Sequence, residues 1–161
     1  MVAPLRRFLY VLVVTTTTTG GQPRISYLVA RLDRLIRSRL SDALRPFDVS
    51  VTQYTLMSVL DHRPGLSNAQ LARRSYISAQ AMHQLVQSLE GRGLITRVSS
   101  PSHGRVQLAE LTTEGRRLLD RCDRAVALIE SELFGVLGDG EESHLRRLLV
   151  ASIDASHLPT G

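Results

Sequence analysis

One stretch of the sequence, from Ser78 to Arg92, carries a row of side chains that donate and accept hydrogen bonds. Steps of three and four residues would place them on one face of a helix: Gln80, His83, Gln84 and Gln87. A glutamine amide donates and accepts at once, so it can pair in bidentate fashion with adenine in the major groove of DNA. We predict base contacts from this face and from Ser78 at its start, although an ordinary solvated face would also accept glutamine.

Positive charge is concentrated around the same stretch. The chain has a formal net charge of +5, and all of its 20 basic residues are arginine. Between His62 and Leu108 the only acidic residue among six arginines is Glu90, so this segment accounts for the whole excess. Such clustering is the electrostatic footprint of a phosphate-binding surface, and guanidinium groups suit phosphates. We predict that four of these side chains contact phosphates or the minor groove: Arg73, Arg74, Arg97 and Arg105.

Residues of the kinds that enzymes and metal sites use are sparse. Cys122 is the only cysteine, so the chain can form no internal disulfide and no multi-cysteine zinc site. The five histidines never fall at metal-ligand spacing beside a second ligand, and the common catalytic motifs are missing. We predict a protein that is not an enzyme, with no catalytic residue, metal or cofactor.

The elements that must position the polar face are predicted to be helices. From Ile25 onward, apolar residues recur at steps of three and four until Pro46 ends the pattern. Two S-x-x-Q capping boxes then begin a second helix over about 51–61 and a short third helix: Ser50 with Gln53, and Ser67 with Gln70. Ser78 is the N-cap of the polar-faced helix, and Gly93 follows it where a left-handed cap is expected.

A short hairpin and two further helices complete the chain. Leu94–Val98 and Arg105–Leu111 are predicted as strands joined by a polar turn. Thr112 caps a long helix, which Gly138 and Gly140 separate from the last one. The predicted fold class is mainly α (α+β in strict terms): a winged helix-turn-helix with a short β-hairpin wing. The long terminal helices cannot bury their apolar stripes against so small a unit, which predicts a homodimer.

Short pieces of this sequence follow one another in the order and spacing of a known family. They are Leu71-Ala72, the stretch Ser78–Val86, Leu89-Glu90 with Gly93-Leu94-Ile95, and Leu111–Gly115. Over about residues 25–155 the chain resembles the MarR family of bacterial transcriptional regulators. The resemblance implies a recognition helix at Ser78–Arg92, a wing at Val98–Val106, and a dimerisation region at 25–45 and 112–156. We thus predict one MarR-type domain over 24–161, with its DNA-binding part at 50–111.

The wing departs from the family pattern. Where the family often carries acidic residues before paired arginines, this chain has Ser100 and His103, followed by Gly104 and Arg105. Arg105 can still enter a narrow minor groove. It lacks the acidic partner that would orient it.

Members of the family commonly respond to small phenolic or other aromatic compounds, or to oxidants, by releasing DNA. The resemblance implies an effector pocket between the dimerisation helices and the winged unit. Tyr54, Met57 and His62 are the predicted lining residues. Cys122 falls in an apolar stripe, where a small buried hydrophobe is the ordinary interpretation and redox sensing is the alternative.

The first 23 residues differ in composition from the rest. Two arginines, the apolar run Phe8–Val14, five threonines and two glycines follow one another. The apolar run is too short to span a bilayer. Three interpretations stay open: a disordered or wrongly assigned extension, an export or anchoring signal, and a strand that pairs with a partner.

Together these features predict a cytoplasmic homodimer that binds double-stranded DNA at an inverted-repeat operator, as a ligand-responsive repressor with no membrane partner. The alternatives are a non-specific or architectural DNA-binding protein and an exported interaction module. The glutamine face argues against the first alternative, because a purely electrostatic binder would carry arginine there.

Overall fold

A computed structural model describes residues 22–75, 77–99 and 107–155. The predicted extension over 1–23 lies outside these residues except for its last two. Residues 100–106 of the predicted wing also lie outside them, and these include Ser100, His103, Gly104 and Arg105. In chain order the elements are α1 (Ile25–Leu44), a 3₁₀ turn (Arg45–Phe47), α2 (Val51–His62), β1 (Leu66–Ser67), α3 (Asn68–Ser75), α4 (Ala79–Gly91), β2 (Ile95–Ser99), β3 (Gln107–Leu111), α5 (Thr113–Phe134) and α6 (Asp139–Ala155). The predicted fold class is confirmed, since a small antiparallel sheet is embedded in a mainly helical chain.

The predicted N-caps begin their helices through local hydrogen bonds. In the first capping box the Gln53 amide N–H donates to the Ser50 hydroxyl, and the Ser50 N–H donates to the Gln53 side chain at 2.9 Å. Ser67 and Gln70 form the same reciprocal pair before α3. Ser78 accepts from the third amide of its helix. Because these bonds join residues three apart, the sequence alone is enough to predict them.

The sheet has one strand more than the predicted hairpin. β2 pairs with β3 in antiparallel fashion, with Ile95 opposite Leu111. On the other side of β3 lies β1, where Leu66 is opposite Ala109. A two-residue strand leaves no alternating pattern to detect, and here it overlaps the capping box of α3. The extra strand ties the start of α3 to the wing.

The predicted break at Gly138 and Gly140 is wrong in its detail. The long helix α5 ends at Phe134, and Gly140 lies inside α6. Acidic residues in the first turn of α6 offset the cost of this glycine, because negative charge is favourable at a helix N-terminus. Glu141 also accepts from the Gly138 N–H at 3.0 Å, which fixes the turn.

The core lies inside the winged unit, by which we mean residues 51–111 from α2 to β3. Apolar side chains from its helices and strands meet there, joined by the end of α1 and the first half of α5. The large side chains that are buried completely are Leu44, Leu56, Met57, Leu60, Leu71, Met82, Val86, Leu89 and Cys122. Removing a side chain of this kind from water contributes about 1.5–3 kcal/mol.

The outer helices, by which we mean α1, α5 and α6, are different, because many of their apolar side chains are uncovered. None of the α6 residues is buried. Large apolar side chains of the outer helices that face solvent include Ile25, Leu28, Val29, Leu35, Leu128, Leu148, Leu149 and Val150. Among the described residues no helix is both long and apolar enough to cross a membrane.

Candidate DNA-binding site

Helix α4 is held by one buried face and presents the opposite face to solvent. Its side chains Met82, Val86 and Leu89 are 0% exposed in the core. The four predicted base-reading side chains are all exposed, and we call them the reading face: Gln80, His83, Gln84 and Gln87. The structure therefore brings these residues together on one accessible surface, as their spacing predicts. Their contact with bases stays a prediction.

The end of α4 is fixed by a glycine cap. Gly93 has a φ of +69°, the left-handed conformation expected from the sequence. The Gly93 N–H donates to the carbonyl of Glu90, and the Leu94 N–H donates to the carbonyl of Leu89 at 3.0 Å. This pair of bonds is a Schellman motif, which satisfies carbonyls that a helix end otherwise leaves open. It sets the angle between α4 and the hairpin.

Two side-chain contacts join α4 to the helices before it. The Gln53 amide on α2 donates to the Ser88 hydroxyl at 3.4 Å. The side-chain nitrogen of Asn68, the first residue of α3, lies 3.4 Å from Nδ1 of His83. Sequence analysis did not select Asn68, because nothing local to it indicates a neighbour on another helix. A member of the reading face is thus in contact with α3.

The predicted phosphate-binding arginines fall into two groups. Arg73 and Arg74 are exposed in the last turn of α3 and form no ion pair within the described part of the chain. Arg97 instead donates to a carboxylate oxygen of Glu90 at 2.8 Å, and its side chain is only 25% exposed. Its charge is used to hold β2 against α4. Counting charges along the sequence does not reveal such pairing.

A cavity opens between the end of α2 and α3. Its volume is about 400 Å³, and we call it the α2–α3 cavity. The lining residues are Thr55, Ser58, Val59, His62, Arg63 and Arg74. Of the three residues predicted to line an effector pocket, His62 is here. Met57 is instead buried in the core, and Tyr54 makes a different contact.

Tyr54 connects the winged unit to helix α5. Its hydroxyl donates to a carboxylate oxygen of Asp123 at 2.7 Å. Burial, followed by this hydrogen bond, raises the pKa of Tyr54 to about 12, so the phenol stays protonated at neutral pH. One strong polar contact therefore crosses between α2 and α5.

The side chain of Cys122, on α5, points into the core. It is 0% exposed. Burial raises the pKa of its thiol, which disfavours the thiolate that oxidants and thiol reagents attack. These two observations favour the interpretation of Cys122 as a packing residue.

Comparison with known proteins identifies the family. A family profile described as MarR family matches residues 47–106. The HTH-type transcriptional repressor Rv2887 of Mycobacterium tuberculosis is 31% identical over 125 residues, which make up 78% of this chain and 90% of that protein. The chain belongs to the MarR family.

Solved structures of MarR-family proteins have the same fold. CouR of Rhodococcus jostii, bound to a 23-mer DNA duplex, matches with a TM-score of 0.74 at 27% identity, over 81% of this chain and 92% of CouR. Rv2887 in complex with salicylic acid matches with a TM-score of 0.68 at 30% identity, over 82% of this chain and 98% of that one.

The structure explains one of the MarR-like pieces, Leu111–Gly115. The Thr112 hydroxyl donates to the carbonyl of Gly93 at 2.7 Å and accepts from the Gly115 N–H at 3.0 Å. The Thr112 N–H donates to the carbonyl of Leu94. A Cβ added at Gly115 would collide with that same carbonyl oxygen. We call this contact the Thr112 junction. It requires a hydroxyl at position 112 and a glycine at position 115.

Proposed function

We propose that this MarR-family protein is a homodimeric repressor in the cytoplasm that reads an inverted-repeat operator and releases it when a small organic anion binds. The observation that carries the proposal is the reading face on α4. Four side chains able to donate hydrogen bonds are exposed there, on a helix whose other face is anchored in the core. CouR, whose fold is the same, is bound to a DNA duplex in its structure.

The uncovered apolar surfaces of α1 and α6 support a dimer. The exposed side chains there are large and apolar, as expected of an interaction surface, and closed two-fold symmetry is the commonest way to cover such a surface. Two recognition helices related by a two-fold axis fit successive major grooves, about 10 base pairs apart. The operator is therefore expected to be an inverted repeat with that spacing.

The α2–α3 cavity supports a response to an anion. Two guanidinium groups, of Arg63 and Arg74, line it together with His62, while Val59 supplies apolar surface. Within the described residues neither arginine forms an ion pair, so both charges are available. A planar carboxylate suits a guanidinium because two parallel hydrogen bonds can form. The similar repressor Rv2887 has been solved with salicylic acid, an aromatic carboxylate.

Base reading is tested by comparing the reading face with Arg73. We expect Gln84→Ala and Gln80→Ala each to lose about 1–3 kcal/mol on the operator, with little change on random DNA. Arg73→Ala should weaken binding to both DNAs similarly and reduce the salt slope by about one unit. Equal losses on both DNAs for the glutamine variants would contradict the proposal and favour a non-specific or architectural binder.

The effector site is tested with the neighbouring arginines of α3 as a matched pair. Salicylate is titrated into the free parent protein and the free variants Arg74→Ala, Arg63→Ala and Arg73→Ala, because Arg73 and Arg74 are also predicted to contact DNA. Since Arg74 and Arg63 line the cavity and Arg73 does not, the first two variants should bind salicylate at least about tenfold more weakly, a loss of roughly 1.4 kcal/mol each. Arg73→Ala should bind salicylate like the parent. A parent that ignores salicylate and other aromatic acids would contradict this part of the proposal.

A further inference from the structure

The backbone at Asn68 is fixed by contacts of the residues on either side of it. Asn68 is the first residue of α3, and the preceding residue, Ser67, pairs with Leu108 in the sheet. The capping bonds between Ser67 and Gln70 hold the backbone on the other side. Asn68 is half-buried where α3 packs against α4. Its side-chain nitrogen is 3.4 Å from Nδ1 of His83 on the reading face.

We propose that Asn68 is a positioning residue that fixes the proton of His83 on Nε2, so that His83 presents a hydrogen-bond donor to the operator. The inference rests on the proposed function, since it specifies what one side chain of the reading face can read. It follows from the donor inventory of the two groups. A side-chain amide nitrogen only donates, so the Nδ1 that it faces must accept.

The tautomer decides which bases His83 can contact. A neutral imidazole carries one proton, and when Nδ1 accepts, that proton is on Nε2. His83 is exposed, and its ring makes no further hydrogen bond within the described residues, so Nε2–H is available. In the major groove guanine presents two acceptors, N7 and O6, whereas cytosine presents the donor N4–H₂. The parent protein is therefore expected to prefer guanine over cytosine at the base that His83 contacts.

Asn68→Asp reverses this chemistry with almost no change in shape. A carboxylate only accepts, so Nδ1 must become the donor and Nε2 the acceptor. The preference at that base should then move from guanine towards cytosine. An aspartate in the first turn of α3 is favourable for the helix, so the variant is expected to fold. Asn68→Ala removes the donor that faces Nδ1 of His83 and puts no acceptor in its place, so it should favour neither tautomer.

The tautomer is measured first, on the free protein without DNA. Nitrogen-15 NMR at pH 8.5 distinguishes a protonated ring nitrogen from an unprotonated one. We expect His83 of the parent to be protonated at Nε2 and His83 of Asn68→Asp to be protonated at Nδ1. A parent protonated at Nδ1, or the same tautomer in both proteins, would overturn the inference whatever the DNA results show.

Base preference is measured second, at the same pH, by selection from operators randomised at single positions. At one position in each half-site, the ratio of guanine to cytosine should fall about three- to tenfold in Asn68→Asp, the worth of a single hydrogen bond. His83→Ala should abolish the preference there. An unchanged preference in Asn68→Asp overturns the inference while operator binding stands. A parent that selects no sequence at all overturns the proposed function, and with it the reading role of His83.

Discussion

The winged unit and the last helix, α6, differ in how far their apolar side chains are buried within the chain. In the winged unit, core side chains such as Leu60, Met57 and Met82 are at most 1% exposed and pack on neighbours from the same chain. In α6, Leu148 is 53% and Val150 is 52% exposed. Both regions have helical periodicity in the sequence. Periodicity alone therefore predicts which face of a helix is apolar, and it does not predict which molecule covers that face.

The two regions therefore differ in where their stabilising contacts come from. The winged unit has the contacts that it needs within one chain. The exposed apolar faces of α1 and α6 acquire contacts only when another surface covers them, so their contribution depends on protein concentration if that surface belongs to a second copy. The two regions should consequently respond differently to the same kind of substitution, and the predictions below test that contrast.

The largest effect is expected for Leu149→Glu on α6. If a second copy covers this side chain, each protomer loses part of its leucine burial energy and gains a carboxylate that is costly to desolvate. Both copies are changed, so the dimer should lose at least about 4 kcal/mol, which is roughly a thousandfold in its dissociation constant. Sedimentation equilibrium measures this constant. Ser143→Glu on the same helix is the control, and an equal effect of both substitutions would contradict an interface at Leu149.

The second prediction concerns the core of the winged unit. Leu60 is 1% exposed, and Leu60→Ala should leave a cavity and lower the free energy of unfolding by about 2–5 kcal/mol. The dissociation constant of the dimer should change little, in contrast to the α6 variant. Urea unfolding at several protein concentrations separates the two contributions. A loss below about 1 kcal/mol would mean that the winged unit is less tightly packed than its burial indicates.

The third prediction compares one substitution, glycine to alanine, at the buried start of α5, which packs on the winged unit, and in the exposed helix α6. Gly115→Ala should lower the free energy of unfolding by about 1–3 kcal/mol, because the new Cβ meets the backbone carbonyl of Leu94. At Gly140 in α6 a Cβ meets nothing within 4 Å. Gly140→Ala should instead raise the stability by about 0.4–1 kcal/mol, through the lost flexibility of the unfolded chain. Thermal or urea unfolding checks both signs, and a Gly115→Ala variant as stable as the parent would refute the close approach at the Thr112 junction.

The smallest effect is expected for the contact that joins the winged unit to α5. Tyr54→Phe should cost about 0.5–1 kcal/mol at pH 7, since Asp123 is partly screened by solvent. The pKa of Tyr54 is raised from 10.0 to about 12, so the bond contributes fully below pH 10 and its contribution is lost as pH rises towards 12. The difference in stability between parent and variant should therefore shrink between pH 10 and pH 11. A constant difference would show that the phenol is not the group involved.

Features that depend on neighbouring residues could be predicted from the sequence. The two capping boxes, Ser78, and Thr112 in its role as an N-cap depend on hydrogen bonds between residues three positions apart, and Gly93 depends on a backbone angle that glycine adopts easily. The order of the helices and the polar face of α4 follow from periodicity for the same reason.

Features that depend on distant residues could not be predicted. Arg97 and Glu90 pair across the end of α4, and Tyr54 meets Asp123 from 69 positions away. Charge counting treats Arg97 as available for phosphate, although an acidic side chain of the same unit already binds it. The contact between Asn68 and His83 belongs to this class, because a packing angle between two helices brings the residues together.

The Thr112 junction has a consequence for how the wing can vary among related proteins. Its bonds to Gly93 and Leu94 close the hairpin at the end nearest the helices. Once a loop is closed at its base, each doubling of its length costs only about 0.6 kcal/mol more in chain entropy. Insertions and deletions at the far end of the hairpin therefore leave the relation between α4 and α5 unchanged. The reach of the wing can diverge from one homologue to the next while the recognition helix keeps its place.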